Sequence, residues 1–286
     1  MKPPLFAYRD PETLEEVLSL LEEHGSDASL LAGGQSLLPL LNLRLARPEV
    51  IIDLRRVAGL DGVEVDAQGV CLGAMVRARA VERSLQIREV APALSDAVAC
   101  IAHPQIRSRT TIGGNIAHAD PSSELPGVMA AFEGRVELTS TKGSRWVPWS
   151  DYFITVFTTA REPEEFVTRV EFPLDAGMTY SFREISRRPG DYPLAAVCCG
   201  LAWDGDVISR ARVAAVAVAD RPVRLPEVEE ALMGRSAKDP SVVREVRAIA
   251  TETTPAHDDG HGSARYRRSI VGTLLADIMS GQAVAA

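Results

Sequence analysis

The chain has 286 residues, enough for one large domain or two to three small ones, each with its own core. Hydrophobic residues make up 46% and charged residues 24%, the balance of a soluble globular protein. Lys plus Arg is 31 and Asp plus Glu is 39, a formal net charge of -8. Such a surface repels phosphate backbones and argues against nucleic acid as a partner; a phosphate would have to bind through local backbone N–H groups.

The opening residues Met1 to Asp10 carry no basic region followed by an apolar run, so no signal peptide is expected. The longest apolar stretches, such as residues 194–203, fall far short of the roughly 20 residues that span a bilayer. No membrane insertion and a cytoplasmic location are therefore expected. Cys71, Cys100, Cys198 and Cys199 form no C-x-x-C pair and have neither zinc nor iron–sulfur spacing. They read as small core residues in a reducing compartment, so iron–sulfur chemistry would belong to another chain.

In chain order, Asp10-Pro11-Glu12 predicts a helix start, with Asp10 as cap and Pro11 at the first position. Leu14, Val17, Leu18 and Leu21 carry helical spacing, and Gly25 ends it. Residues 29–32 predict a strand stopping at Gly33-Gly34, residues 37–45 a broken turn or short helix around Pro39, and residues 50–54 a buried strand. Residues 62–75 predict a β-hairpin with Gly69 near its turn. Residues 77–86, 89–102 and 125–132 predict helices, and 136–140 and 166–172 strands. The Pro, Asp and Gly of 173–177 mark a domain boundary. Beyond it, strands are expected at 180–185, 194–203 and 207–219, the last two joined by Asp204-Gly205. Helices are expected at 225–233, 242–252 and 263–279. Strands followed by helices predict an α+β unit, a sheet packed on helices.

Two segments share one grammar. Ala32-Gly33-Gly34-Gln35-Ser36 follows a strand; its glycines let the backbone take positive φ and approach a ligand, and successive N–H groups can form an anion nest. A tight turn explains the same dipeptide. Thr110-Thr111-Ile112-Gly113-Gly114-Asn115 repeats the pattern, and two such loops can clamp one diphosphate from both sides. Asp120-Pro121-Ser122-Ser123-Glu124 then reads as a helix start, with Ser122 or Ser123 at the cap. Glu124 either compensates the helix dipole or binds ribose hydroxyls. There is no G-x-G-x-x-G, P-loop, H-E-x-x-H or G-x-S-x-G. His103 and His118 bracket the second glycine segment, within reach of a ligand. Arg187-Arg188-Pro189-Gly190-Asp191-Tyr192-Pro193 is either a solvated hairpin loop or a loop placing Tyr192 on an aromatic ring and a guanidinium near a cofactor edge.

These residues carry a resemblance. Lys2-Pro3-Pro4 with Phe6 and Tyr8, the runs 32–54, 111–126 and 187–195, and the closing SARYRRSIVGTLL of 263–275 resemble the FAD-binding medium subunits of molybdenum hydroxylases, the group of carbon monoxide and xanthine dehydrogenases. The resemblance implies a two-part FAD-binding domain of the PCMH/VAO type over 1–176, with parts at about 1–57 and 58–176, and a C-terminal α+β domain over 177–286. It implies FAD as cofactor, with Leu31, Ala32, Gly33, Gly34, Gln35, Ser36 and Leu37 in one loop and Thr111, Ile112, Gly113, Gly114 and Asn115 in the other holding the pyrophosphate. It also puts Ala102 in the site, Asp120, Ser123 and Glu124 near the ribose or adenine, and Tyr192 and Arg187 near the isoalloxazine. The implied partners are a large molybdenum-cofactor subunit and a small [2Fe–2S] subunit. The implied role is relaying electrons to an external acceptor, with no general base on this chain. A stand-alone flavoprotein oxidoreductase and a scaffold with a vestigial site are the alternatives. The family usually has a glycine where this chain reads Ile154-Thr155-Val156-Phe157, and often a leucine at Arg161; both would lie near the flavin's reacting edge.

Overall fold

The structure, a computed structural model, describes residues 2–281. It opens with β1 (Ala7–Arg9), α1 (Leu14–His24), β2 (Ala28–Leu31), α2 (Leu37–Asn42) and β3 (Val50–Asp53). The three strands are parallel, in the order β1-β3-β2. β3 lies between the other two and is buried at all four positions, which is why it opens on the apolar run Val50-Ile51-Ile52 before the buried Asp53. Helix α1 starts at Thr13, not Asp10. The Thr13 hydroxyl accepts from the Glu16 amide while Glu16 reaches back to the Thr13 amide, satisfying two free donors at once. Asp10 is occupied elsewhere, accepting from Arg56. Val17, Leu18 and Leu21 turn onto Val50 and Ile52.

The second part begins with the expected hairpin, β4 (Val63–Val65) and β5 (Gly69–Gly73), followed by α3 (Ala78–Arg83), α4 (Leu85–Val90), α5 (Pro92–Cys100), α6 (Pro104–Arg107), α7 (Ile112–His118) and α8 (Glu124–Phe132). The single helix expected over 89–102 is two, because Pro92 cannot continue α4 and instead opens α5. Next come β6 (Arg135–Ser140), β7 (Gly143–Pro148), α9 (Trp149–Tyr152), the small hairpin β8 (Phe153–Thr155) and β9 (Thr158–Thr159), and β10 (Phe166–Pro173). The main sheet is antiparallel in the order β4-β5-β10-β6-β7.

The last part is an antiparallel sheet of β11 (Met178–Ser186), β12 (Pro193–Asp204), β13 (Val207–Val216) and β14 (Val223–Arg224), with α10 (Pro226–Leu232), α11 (Pro240–Thr253) and α12 (Ala264–Met279). The expected turn at Asp204-Gly205 is present, with Gly205 at φ 59°. Along β12 the side chains alternate. Ala196 and Cys198 join the core that holds Phe132 and Phe172, while Ala195, Val197, Cys199 and Leu201 join the core of the three C-terminal helices. This sheet is therefore covered on both faces, by α5 and α8 on one and by α10 to α12 on the other. Helix α8 is buried at every position. It approaches β13 so closely that a β-carbon on Gly127 would sit 2.0 Å from Val216 Cγ2. The architecture is the expected mixed α+β one, a two-part N-terminal portion followed by a small antiparallel sheet on helices.

Candidate cofactor site

A cavity of about 490 Å³ opens between the first two parts, with the β11–β12 loop at one edge. It falls in the size range of small-molecule and cofactor pockets, roughly 300–1,000 Å³. All of residues 32–37 line it, as do Thr111, Gly113, Gly114 and Asn115, together with Ala102, Asp120, Ser123, Glu124 and Tyr192. The structure thus brings together two segments nearly 80 residues apart and a tyrosine from a third.

The glycines explain how. A β-carbon on Gly33 would lie 2.4 Å from the Arg109 carbonyl oxygen, and one on Gly114 would lie 2.6 Å from Thr111 Oγ1 and 3.3 Å from Ala32 Cβ. The two loops touch, and only hydrogen fits where they do. Gly34 takes φ +76°, which turns the chain from β2 into α2. Gly113 sits where a β-carbon would be 2.5 Å from Ala74 Cβ, so it seats α7 on the strand end after β5.

The loops are unequal as anion binders. Among the described residues, the amides of Gly33, Gly34, Gln35 and Ser36 donate to no acceptor on the chain. In the second loop the amides are already used: Ile112 to Val76 O (2.9 Å), Gly113 to Ala74 O (2.9 Å), Gly114 to Thr111 Oγ1 (3.1 Å) and Asn115 to Thr111 O (3.0 Å). The first loop is an open nest of donors, whereas the second contributes side chains and the wall against which the first is braced. The two loops read from the sequence as a clamp thus stand together on the cavity, with free backbone donors on the first.

Beyond the second loop, Asp120 Oδ1 accepts the Ser122 amide at 2.9 Å. Ser123 occupies the cap position of α8 but does not cap it; its hydroxyl donates to Asn115 Oδ1 at 2.8 Å. Glu124 is only 4% exposed. Burial, with the nearby Glu184 and Asp120, pushes its carboxyl up to about 8. Burial pushes Glu184 up to about 7, and its Oε2 has no partner. Glu124 is therefore a proton-holding group on the cavity wall near neutral pH, unlike the ionised dipole partner that the sequence allowed. His118 lines the cavity and packs against Phe157 with ring centroids 4.9 Å apart and planes tilted by 31°; burial lowers its pKa and favours the neutral ring. His103 is not on the wall, but its ring supports Gly190, whose φ is +85°.

Three expected residues do not line the cavity. Ile112 is fully buried in the main core, where its side chain anchors α7. Leu31 lies beneath the loop, its Cδ1 3.3 Å from where a β-carbon on Gly34 would be. Arg187 turns away to His261, Nη2 to Nδ1 at 2.6 Å. Ile101 and Ile106, which no sequence motif singled out, line the cavity, as do Thr110 of the second glycine segment and Gly190 and Asp191 of the Tyr192 loop, which the motifs contained without assigning them a role. Arg161, noted only as a departure, is the single permanent cation among the described lining residues. Its Nη1 donates to the carbonyls of Glu162 (3.0 Å), Pro163 (3.3 Å) and Glu165 (2.7 Å), which fixes the guanidinium. Among the described residues no His, Cys, Asp and Glu group is arranged to hold a metal, and no helix is long and apolar enough to cross a membrane.

Residues 4–175 match the family described as the FAD binding domain in molybdopterin dehydrogenase, and residues 180–281 the CO dehydrogenase flavoprotein C-terminal domain. The 6-hydroxypseudooxynicotine dehydrogenase complex subunit alpha of Paenarthrobacter nicotinovorans is 36% identical, covering 96% of this chain and 93% of its own. The carbon monoxide dehydrogenase medium chain of Afipia carboxidovorans is 34% identical over 96% of both. The solved quinoline 2-oxidoreductase of Pseudomonas putida 86 superposes with a TM-score of 0.93 at 34% identity, over 98% of both chains. The family matches over 4–175 and 180–281, with relatives covered over almost their whole length and a cavity lined by both glycine loops, make this protein a member of the FAD-binding medium subunits of the molybdenum hydroxylases, an oxidoreductase subunit whose cofactor is FAD.

Proposed function

We propose that this chain is the electron-relaying subunit of a heteromeric molybdenum hydroxylase. A large molybdenum-cofactor subunit would transform the substrate, a small [2Fe–2S] subunit would deliver the electrons, and this chain would hand them to an external acceptor. The observation that carries the reading is the run of four amides at Gly33–Ser36 that find no acceptor among the described residues, on a loop lining the same cavity as the Thr111 segment and Tyr192.

Gly33, Gly34, Gln35 and Ser36 would hold the pyrophosphate through their amides, with Thr111 and Asn115 adding side-chain donors. Asp120, Ser123 and Glu124 would face the ribose or adenine, and Tyr192 the isoalloxazine. When bound, FAD supplies the ability to accept and release electrons singly or in pairs. The chain's own residues bind and orient it. Glu124 meets it as a neutral donor rather than a second anion, which spares the pyrophosphate a repulsion. Arg161 offsets part of the negative charge that Asp120, Asp191 and the phosphates bring together. No general base is assigned to this chain in this reading, which leaves the substrate chemistry to another subunit.

Isolating the chain from its native host tests the reading: molybdenum- and iron–sulfur-bearing partners should copurify with it, and the complex should show flavin absorption. A chain that recovers neither partner and turns over a substrate alone would favour a stand-alone flavoprotein.

A further inference from the structure

Arg267 belongs to the Tyr-Arg-Arg run of α12, in a different part of the fold from the glycine loops, and is 4% exposed. Its Nη1 donates to the carbonyl oxygens of Leu194 and, at 2.7 Å, Ala217. Its Nη2 donates to Asp259 Oδ2 at 2.6 Å. Asp259 Oδ1 in turn accepts the amides of His261 (2.8 Å) and Gly262 (3.0 Å). Those bonds fix His261, whose Nδ1 meets Arg187 Nη2 at 2.6 Å.

Arg187 and Leu194 are the two feet of the loop joining β11 to β12, and Tyr192 stands on that loop at the cavity edge. One buried guanidinium therefore holds both feet, one directly and one through Asp259 and His261. Besides the packing of Gly190 on His103, little else on the loop holds it. Tyr192 is 65% exposed, and the loop's internal bonds are few: Ser186 Oγ to Arg188 O and Asp191 N to Arg188 O, both at 3.0 Å. An unbraced loop would lose conformational freedom each time a ligand ordered it, and affinity would fall by that cost.

We propose that Arg267, Asp259 and His261 form a brace that pre-sets the Tyr192 loop, making them positioning residues for the cofactor site. The proposal rests on the FAD reading above for its ligand, and on the loop itself for its structural part. No contact between these three residues and the cavity is needed; they act through Arg187 and Leu194.

His261 is exposed, so His261→Ala should leave the fold intact, with an unchanged melting temperature of the apo chain. Two measurements on the full chain test the brace. In the apo protein, trypsin cleavage after Arg187 should accelerate in His261→Ala. In FAD titrations followed by flavin fluorescence, His261→Ala should weaken Kd about five-fold, the size of one ordinary hydrogen bond. In a Tyr192→Ala background the same change should have no further effect on Kd. Arg187→Gln, which still donates to the imidazole, should retain more affinity than Arg187→Leu. The brace is overturned if cleavage is unchanged in His261→Ala, or if its effect on Kd adds fully to that of Tyr192→Ala. If cleavage accelerates but the wild-type chain takes up no FAD, the loop brace stands and the flavin reading falls.

Discussion

Gly33 lies directly against the backbone of Arg109, so that a β-carbon at Gly33 would come 2.4 Å from the Arg109 carbonyl oxygen. The contact joins the first glycine loop to the residue two positions before Thr111, and it determines how the cavity is built. Backbone meets backbone there, and neither side can swing away. Gly33→Ala should therefore force the loops apart, at a cost of about 1–3 kcal/mol, and weaken FAD binding as well. Gly114→Ala meets the rotatable Thr111 hydroxyl first and should be milder. Thermal melts of the two apo variants, each followed by FAD titration, check the order.

The Glu124 carboxyl gives the apo protein a pH dependence. Burial raises it from the ordinary 4.5 to about 8, and Glu184 to about 7. Between pH 4.5 and 8 the folded chain holds protons that the unfolded chain has released. Stability must then fall as pH rises through that window and level off above it. Glu124→Gln removes one of the two contributions. The variant should gain on wild type as pH rises, by on the order of a few kcal/mol at pH 8. Melting curves from pH 5 to 9 measure it; parallel curves for the two proteins would contradict the buried, neutral assignment.

Arg161 is the lone permanent cation among the described lining residues, facing Asp120, Glu124 and Asp191 around the same cavity. Arg161→Leu should weaken FAD binding by roughly three- to ten-fold at low salt, as expected for one partly screened charge. The difference from wild type should shrink as salt rises. Kd at two ionic strengths decides, and an equal loss at both would point to packing instead of charge.

Gly127 and Val216 hold the second and third parts together at close range, a β-carbon on Gly127 falling 2.0 Å from Val216 Cγ2. Gly127→Ala alone should destabilise by about 1–3 kcal/mol through overpacking. Val216→Ala alone leaves a void and costs a comparable amount. The double variant should be less damaged than the sum, because the new methyl enters the space that the valine vacates. Denaturant unfolding of the four proteins completes the cycle.

The glycine loops were legible because their need is local: a strand end, a glycine pair and flanking donors are all within a few residues. The strand β12 was legible from its continuous apolar run, and the Asp204-Gly205 turn from its dipeptide; that β12 is buried on both faces shows only in the fold. What stayed hidden depends on distant partners. Arg187 looked as ready to meet a ring as to meet solvent, and its actual partner, His261, is 74 residues away. The second loop's spent amides could not be foreseen, since their acceptors at Ala74 and Val76 lie on another segment. Glu184 sits at an unremarkable strand position, and only the fold reveals its orphaned oxygen beside Cys100 and Glu124. Thr13 displaced Asp10 as the cap of α1 because Glu16 stands three residues after Thr13, a signal that was in the sequence and outweighed by Pro11.

The central claim is that the free amides at Gly33–Ser36 and the cavity they face hold FAD. The direct measurement is a fluorescence titration of the full apo chain with FAD, run beside Gly33→Ala and with circular dichroism to establish that both proteins are folded. The account predicts saturable uptake of one FAD per wild-type chain and a marked loss of affinity in Gly33→Ala. A folded wild-type chain that takes up no FAD, or a Gly33→Ala variant that binds it as well as wild type, would contradict it.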